Sequence, residues 1–517
     1  MTDHLYNTYL ASRHVTTDSR DITPGCIFFA LRGEHFDGNA FVPQALAEGA
    51  ALCVSSDRRY RDEQRVVVVD DVPATLQQLA ATHRSHLTIP VIGITGTNGK
   101  TTTKELVHAV LARRYRTAAT VGNFNNHLGV PLTLLSIPAD AEIAIVEMGA
   151  NHPGEIADLC DIADPDHGLI TNVGRAHLEG FGSFEGVVRT KTELYRHLAT
   201  RHGTAFVAAD NKTLVGQAER LASVPDCESM IPAYIPGYPT LTAELVEQTP
   251  LGLVTYGSDA EADVRGTLVG CDPYLHFYFE RGDDVYNVHS HLLGAYNFDN
   301  AMAAVCVGLF FGVEPFDIKE AIEQYMPSNN RSQYKQTMHN ALYLDCYNAN
   351  PSSMAAAIES FNMLDAPHKM AVIGGMHELG SDEREEHSRL IAALDACRLE
   401  RCFLVGPEFR GLDLPRQMSL FDDTPALHTY LAAKPVSGVT LQRKKAMAGV
   451  VAGAFAGGLV IGLSAVKAFV AMGPGLAGMA MFVDPANSMN IVWAFVGFGV
   501  SLAVSFGVTF FLYKDED

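Results

Sequence analysis

The sequence predicts an α/β protein of several doubly wound parallel sheets, ending in two apolar helices of membrane-spanning length. Three observations predict it. Short β-branched runs such as Val91-Ile92-Gly93-Ile94-Thr95 alternate with helical stretches along most of the chain, the pattern of strands buried on both faces. A Gly-rich turn joins that run directly to a helix. From Ala446 to Tyr513 the only charged residues are Lys467 and Asp484. The 517 residues suffice for three or four domains of ~150 residues each.

In chain order, residues 1–86 form a first unit. It holds the turn Thr17-Asp18-Ser19-Arg20, a helix over 41–49 and strands over 51–55 and 66–69. The second unit, 87–312, opens on Gly96-Thr97-Asn98-Gly99-Lys100-Thr101-Thr102. Strand, glycine turn and helix together make a phosphate-binding loop. Backbone N–H groups and the helix N-terminus face the phosphates, Lys100 adds a full charge, and Thr101 offers a hydroxyl to Mg²⁺. The loop is a variant, because the usual first glycine position is Ile94.

The same unit carries an amide-rich loop, Asn123-Phe124-Asn125-Asn126, suited to a polar ligand such as a sugar or peptide. Glu147 ends the strand Ile143-Ala144-Ile145-Val146, where a carboxylate reaches the crevice that binds ligands and metal. His177 follows another strand end, and Lys191 lies in a helix where a lysine is ordinarily a solvated charge. Asn297 and Asn300 share one face of an apolar helix, either as capping groups or as groups that read a base. The third unit, 313–441, alternates strands over 342–345, 370–373 and 402–405 with helices, one of which starts at Pro351. Residues 442–517 form the apolar tail.

Composition narrows the function. A net charge of −21 argues against a general nucleic-acid binder. Nine scattered cysteines without a Cys-x-x-Cys pair suit a reducing compartment, with no disulfide frame or zinc ribbon. The start, Met1-Thr2-Asp3-His4-Leu5-Tyr6, has no signal-peptide pattern, so a cytoplasmic body is expected. In the tail, 446–469 and 491–513 each exceed the ~20 apolar residues of a membrane span. Arg443-Lys444-Lys445 before the first span would keep the body on the cytoplasmic side.

The motifs from Gly96 to Thr102 and from Asn123 to Asn126, with Glu147-Met148-Gly149-Ala150, Ala176-His177-Leu178-Glu179 and Tyr347-Asn348-Ala349-Asn350-Pro351, resemble the Mur ligases of peptidoglycan synthesis. Thr17-Asp18-Ser19-Arg20 resembles their UDP-sugar domain, and the two asparagine runs look most like the members that add D-alanyl-D-alanine. The resemblance covers about residues 10–440. It implies a UDP-binding α/β domain, a central ATPase-like domain and a Rossmann-like last domain, in a monomeric ligase. The implied reaction joins D-Ala-D-Ala to UDP-N-acetylmuramoyl-tripeptide through an acyl phosphate, using ATP and two Mg²⁺.

By the same resemblance, Thr101 and Glu147 hold one Mg²⁺, while His177 and a carbamylated Lys191 serve the second. Asn297 and Asn300 would face adenine, and Arg331 and Asp345 would touch phosphate and ribose. Ser19, Arg20, Asn123, Asn125, Asn126, Asn348 and Asn350 would meet the substrates. A folylpolyglutamate synthase shares this ATP chemistry; the Thr-Asp-Ser-Arg turn and the asparagine loop speak against it.

The sequence departs from the family pattern at three places. Gly375 stands where the family usually has Asp, and His377 where it has Leu. After Leu441 the family's Lys-Gly-Ser-Arg stretch gives way to Gln442-Arg443-Lys444-Lys445 and the tail, so the last sheet is expected to be incomplete. That leaves a membrane-tethered nucleotide-binding protein with an impaired ligase domain as a second reading. The tail itself resembles the end of a glucose/β-glucoside-type phosphotransferase membrane subunit, without its sugar-binding and phosphorylated parts.

Overall fold

The computed structural model describes residues 2–33, 36–222, 250–327, 333–338, 340–345, 349–434, 436 and 440–444. The apolar tail at 446–513, and with it both expected membrane helices, lies outside the described residues, as do Arg331 and Asn348. Among the described residues no helix is long and apolar enough to cross a membrane.

The chain divides into two compact units, 1–327 with 378–380, and the remainder. The first unit contains two sheets. A small one pairs Val15–Thr16, Ile27–Phe29, Leu52–Ser55 and Val66–Val68, all parallel and in chain order. The large one has nine strands among the described residues. From one edge its parallel part runs Thr117–Ala119, Ile143–Glu147, Val91–Thr95, His167–Ile170, Thr204–Ala208, Gly252–Gly257 and Val264–Cys271. Tyr274–Arg281 and Asp284–Leu293 extend it antiparallel. The central strands are buried along their whole length, as their β-branched runs require.

Two features bear on the sequence-based division. Within the first 86 residues Cys26, Phe28, Val42 and Cys53 belong to an apolar cluster of their own, while the other face of the small sheet shares its core with the large one. Leu5, Tyr9, Ile27 and Leu76 pack in one apolar cluster with Val91, Leu134, Val146 and Leu194, so burial is continuous between the two sheets. The helix Pro315–Gln324, expected in the third unit, buries Ile318, Ala321 and Ile322 in the central core. Its apolar stripe fits the large sheet's helix layer, which places the division after Pro327. The helix Asn297–Phe310 is buried almost throughout and packs against Lys100–Leu111, behind the glycine turn.

The second unit holds a six-stranded sheet in the order Gln333–Gln336, Ala341–Asp345, Thr440–Lys444, Lys369–Gly374, Arg401–Val405 and Met418–Phe421. Only the first strand is antiparallel. The last described strand in chain order, Thr440–Lys444, is central and pairs in parallel with a neighbour on each side. The sheet is therefore continuous through Lys444, beyond the point where the sequence leaves the family pattern.

Candidate active site

The strand Val91–Thr95 delivers the chain to Gly96, and Gly99 starts the helix Lys100–Leu111. Both glycines have positive φ, +141° and +80°. Neither site tolerates a side chain: a Cβ at Gly96 would stand 2.1 Å from Thr171 Oγ1, and one at Gly99 2.5 Å from Asn300 Oδ1. No side chain caps the helix N-terminus, which leaves it suited to an anion. The Lys100 ammonium donates to the carbonyls of Gly96 at 2.7 Å and Thr97 at 3.1 Å.

The loop is held from the neighbouring strand end. Thr97 N–H donates to the Asn172 carbonyl, Asn98 N–H to Asn172 Oδ1, and Gly174 N–H to Thr97 Oγ1, at 2.9, 3.0 and 3.0 Å. Thr171 Oγ1 donates to the Asn98 carbonyl at 2.5 Å. Thr171 and Asn172 thus shape the loop, although the sequence alone offers no signal for them beyond a polar pair after a strand. Asn300 sits behind the turn. It accepts from Thr103 Oγ1 at 3.0 Å and donates to Asn297 Oδ1 at 2.9 Å, while Asn297 donates to the Leu293 carbonyl at 2.6 Å. Both amides are buried, so these side chains support the turn from below.

Glu147 ends its strand in register with Ile94 and is 1% exposed. Its carboxylate accepts from Thr101 Oγ1 at 3.0 Å and from Asn125 Nδ2 at 2.8 Å. Lys104 Nζ lies 3.9 Å from it and donates to the Thr120 carbonyl at 2.8 Å. A buried carboxylate needs such compensation. The sequence reading did not single out Lys104, whose place one turn after Lys100 on the buried face was its only sign. Lys100, Thr101, Asn125 and Glu147 therefore form one contiguous polar site.

Lys191 closes the helix Phe184–Lys191 and is 2% exposed, not solvated. Its Nζ donates to the Ala150 carbonyl at 3.2 Å and lies 5.4 Å from the Phe181 ring centre. Burial, assisted by the Lys100 charge, holds its pKa well below the ordinary lysine range, favouring the neutral amine. His177 has a left-handed backbone and caps the short helix Leu178–Phe181. Burial lowers its pKa, opposed by the Glu378 carboxylate and reinforced by Lys100 and Lys191.

The other described residues expected at the site have their own local surroundings. Arg20 is exposed and its guanidinium pairs with Asp18 at 2.6 Å, beside the half-buried Ser19 in the turn that follows the strand Val15–Thr16. Asn123 is exposed, and Asn126 Oδ1 accepts from the N–H groups of Leu128 and Gly129, at 3.1 and 2.9 Å, where the helix Gly129–Leu135 begins. In the second unit, Asp345 ends a strand, and Asn350 caps Pro351–Met363 in a capping box with Ser353.

Profiles of the Mur ligase catalytic domain, the Mur ligase middle domain and the Mur ligase glutamate ligase domain match residues 12–84, 94–225 and 330–461. The UDP-N-acetylmuramoyl-tripeptide–D-alanyl-D-alanine ligase of Bacillus subtilis is 35% identical over 398 residues, 76% of this chain and 79% of that protein. The chain belongs to the Mur ligase family. The corresponding Escherichia coli ligase is 33% identical over 427 residues, covering 81% of this Mur ligase and 86% of its own length. Among solved structures, MurF from Acinetobacter baumannii superposes with a TM-score of 0.70 at 29% identity, over 84% of this chain and 90% of that one. MurF of Thermotoga maritima, solved in complex with ADP, gives 0.70 at 27% identity, over 84% and 95%. A Mycobacterium tuberculosis folylpolyglutamate synthase matches at 0.52 and 13% identity, a likeness of fold alone.

The donor set of this Mur ligase suits Mg²⁺ held jointly with a nucleotide. Among the described residues no three His, Cys, Asp or Glu side chains converge as a preformed metal site. Mg²⁺ typically takes one or two protein oxygens and completes its shell with phosphate and water. The Thr101 hydroxyl and Glu147 carboxylate, 3.0 Å apart, would supply those oxygens.

Proposed function

We propose that this Mur ligase joins D-alanyl-D-alanine to UDP-N-acetylmuramoyl-tripeptide at the expense of ATP, as its curated relatives' names state for them. The observation that carries the reading is the glycine turn braced by Thr171 and Asn172, with Lys100, Thr101 and Glu147 at its mouth. ATP phosphates lie against the helix N-terminus, and Lys100 exchanges its loop carbonyls for phosphate oxygens. The tripeptide carboxylate attacks the γ-phosphorus, ADP leaves, and an acyl phosphate forms. The dipeptide amine then attacks the acyl carbon and phosphate departs. The first step needs positioning and neutralisation of charge more than covalent help.

Mg²⁺ at Thr101 and Glu147 would supply part of that neutralisation when bound. For a second Mg²⁺, His177 offers an imidazole and Lys191 a neutral, buried amine of the kind that carbon dioxide carbamylates. Ser19 and Arg20 would hold the UDP end, Asn123, Asn125 and Asn126 the muramoyl peptide, and Asn348 and Asn350 the dipeptide. Asn297 and Asn300 would lie on the adenine side of the turn, with Arg331 and Asp345 serving phosphate and ribose. The work divides among residues 1–86, a central ATP-binding part now extending to 327, and a last part through Lys444. Residues 446–513 would anchor this body to a membrane, a reading that rests on two apolar stretches of spanning length and on only two charged residues, Lys467 and Asp484.

Phosphate release that requires ATP, the UDP-tripeptide and D-Ala-D-Ala together tests the reaction. Release that ignores the dipeptide would favour the impaired, tethered nucleotide binder. Partition of the full chain with membranes, and its release by a protease site placed after Lys445, tests the tail.

A further inference from the structure

Within the first unit, Glu193 ties together two segments of the candidate site that are remote in the chain. The helix Glu155–Ala163 starts at Gly154, which has a φ of +88° and no side chain of its own to cap the helix. The first N–H groups are met instead from a second helix, Glu193–Thr200. Glu193 Oε1 accepts from Gly154 N–H at 3.0 Å, and Oε2 from Ala157 N–H at 2.9 Å. A carboxylate at a helix N-terminus is favoured by the helix dipole as well as by these hydrogen bonds.

The segment before Gly154 leaves the strand that Glu147 ends. Along it, Gly149 N–H donates to the Asn125 carbonyl at 2.7 Å, and the Ala150 carbonyl accepts from Lys191 Nζ at 3.2 Å. Glu155 Oε2 takes the N–H groups of Asn151 and His152, at 2.6 and 3.0 Å. Gly180 backs onto the Asn151 carbonyl, where a Cβ would stand 2.1 Å away. Only Thr192 separates Lys191 from Glu193, and it links their two helices. Two contacts therefore close a frame: Lys191 on Ala150, and Glu193 on Gly154. Leu194, Tyr195, Ile156 and Leu159 seat the same helices in one apolar core, but such packing is non-directional; the carboxylate fixes their register.

We propose that Glu193 is a positioning residue: it holds Gly154 so that the Ala150 carbonyl, and with it the Lys191 amine, keeps a fixed place relative to the strand that Glu147 ends. The inference rests on the ligase reading above, in which Lys191 and Glu147 both serve Mg²⁺. Without Glu193, Lys191 keeps a single hydrogen bond to a segment whose far end has lost its hold. Groups that serve one reaction must keep their places closely, because a displacement of about 1 Å can cost about 10²-fold in rate.

The test uses the full chain with Glu193→Ala, and with Glu193→Gln as the milder change that keeps one acceptor oxygen. Glu193→Ala should lower kcat for phosphate release with UDP-tripeptide and D-Ala-D-Ala about 10²-fold and leave the KM for ATP within about twofold, because the glycine turn and Lys100 lie outside the frame. Glu193→Gln should show a smaller loss of the same kind. A crystal structure of Glu193→Ala should show the Lys191 amine displaced from the Ala150 carbonyl, with the contact between Thr101 and Glu147 retained. An unchanged hydrogen bond from Lys191 to Ala150 in that variant, a KM for ATP that rises as kcat falls, or full activity would each overturn the proposal and leave the ligase reading standing. A wild-type chain that releases no phosphate with ATP and both substrates present would overturn the ligase reading and this proposal with it.

Discussion

Replacing Lys104 with methionine isolates the electrostatic support of the site. Lys104 is 3% exposed and donates to the Thr120 carbonyl at 2.8 Å and the Gly122 carbonyl at 3.4 Å. Its ammonium faces Glu147, itself 1% exposed, across 3.9 Å. Methionine nearly preserves the volume, so the cost is electrostatic. Glu147 keeps Thr101 and Asn125 as donors but loses its nearby cation. Breaking a buried pair from one side typically costs about 3–5 kcal/mol. In nucleotide-free protein the urea midpoint of the first unit should therefore fall by about 1 M or more, with an unchanged slope. Lys104→Met combined with Glu147→Gln removes the stranded charge and should recover about 1–3 kcal/mol, the coupling expected of neighbours. A single-variant loss below about 1 kcal/mol, or a double variant no more stable than Lys104→Met, would refute the assignment of Lys104 as the counter-charge of Glu147.

Gly99→Ala should raise the KM for ATP and destabilise the loop by about 1–3 kcal/mol, since φ is +80° and a Cβ would meet Asn300 at 2.5 Å; an unchanged KM would contradict the packing. Lys191→Ala should lose ligase activity that added short carboxylates partly restore, as measured by phosphate release; full activity without them would remove the carbamate. Burial pushes the His83 imidazole from its ordinary 6.5 down to about 4. Between those values the unfolded chain binds the extra proton, so stability rises with pH through this window and is lost on acidification. His83→Phe should flatten that part of the stability profile by about 2–3 kcal/mol, and an unaltered profile would show that His83 does not set it.

The parts of the site legible in the sequence were those made by contiguous residues. The strand, the two glycines, Lys100 and Thr101 follow one another, so local geometry carries them, and Glu147 was placed by its strand end. The residues alone did not show the burial of Lys191, because a lysine in a helix is ordinarily solvated; Phe181 and Ala150 are among the groups that face its ammonium. The clamp by Thr171 and Asn172 and the support by Asn300 come from segments remote in the chain and brought together by the parallel sheet. Asn350 and Asn126 illustrate a second difficulty: amides that suit a ligand also suit a helix start, where Asn350 caps Pro351–Met363 and Asn126 accepts from Leu128 and Gly129 N–H. The antiparallel strands Tyr274–Arg281 and Asp284–Leu293 carry no chemical motif, although Tyr274–Arg281 alternates buried and half-buried residues as a strand with one buried face does.

The central claim is that the amide forms through an acyl phosphate on the tripeptide carboxylate. Supplying UDP-tripeptide with heavy oxygen in that carboxylate, together with ATP and D-Ala-D-Ala, tests it by mass spectrometry of the released phosphate. The account predicts one heavy oxygen in each phosphate released, in a one-to-one ratio with new amide bonds. Unlabelled phosphate accompanying amide formation would contradict it.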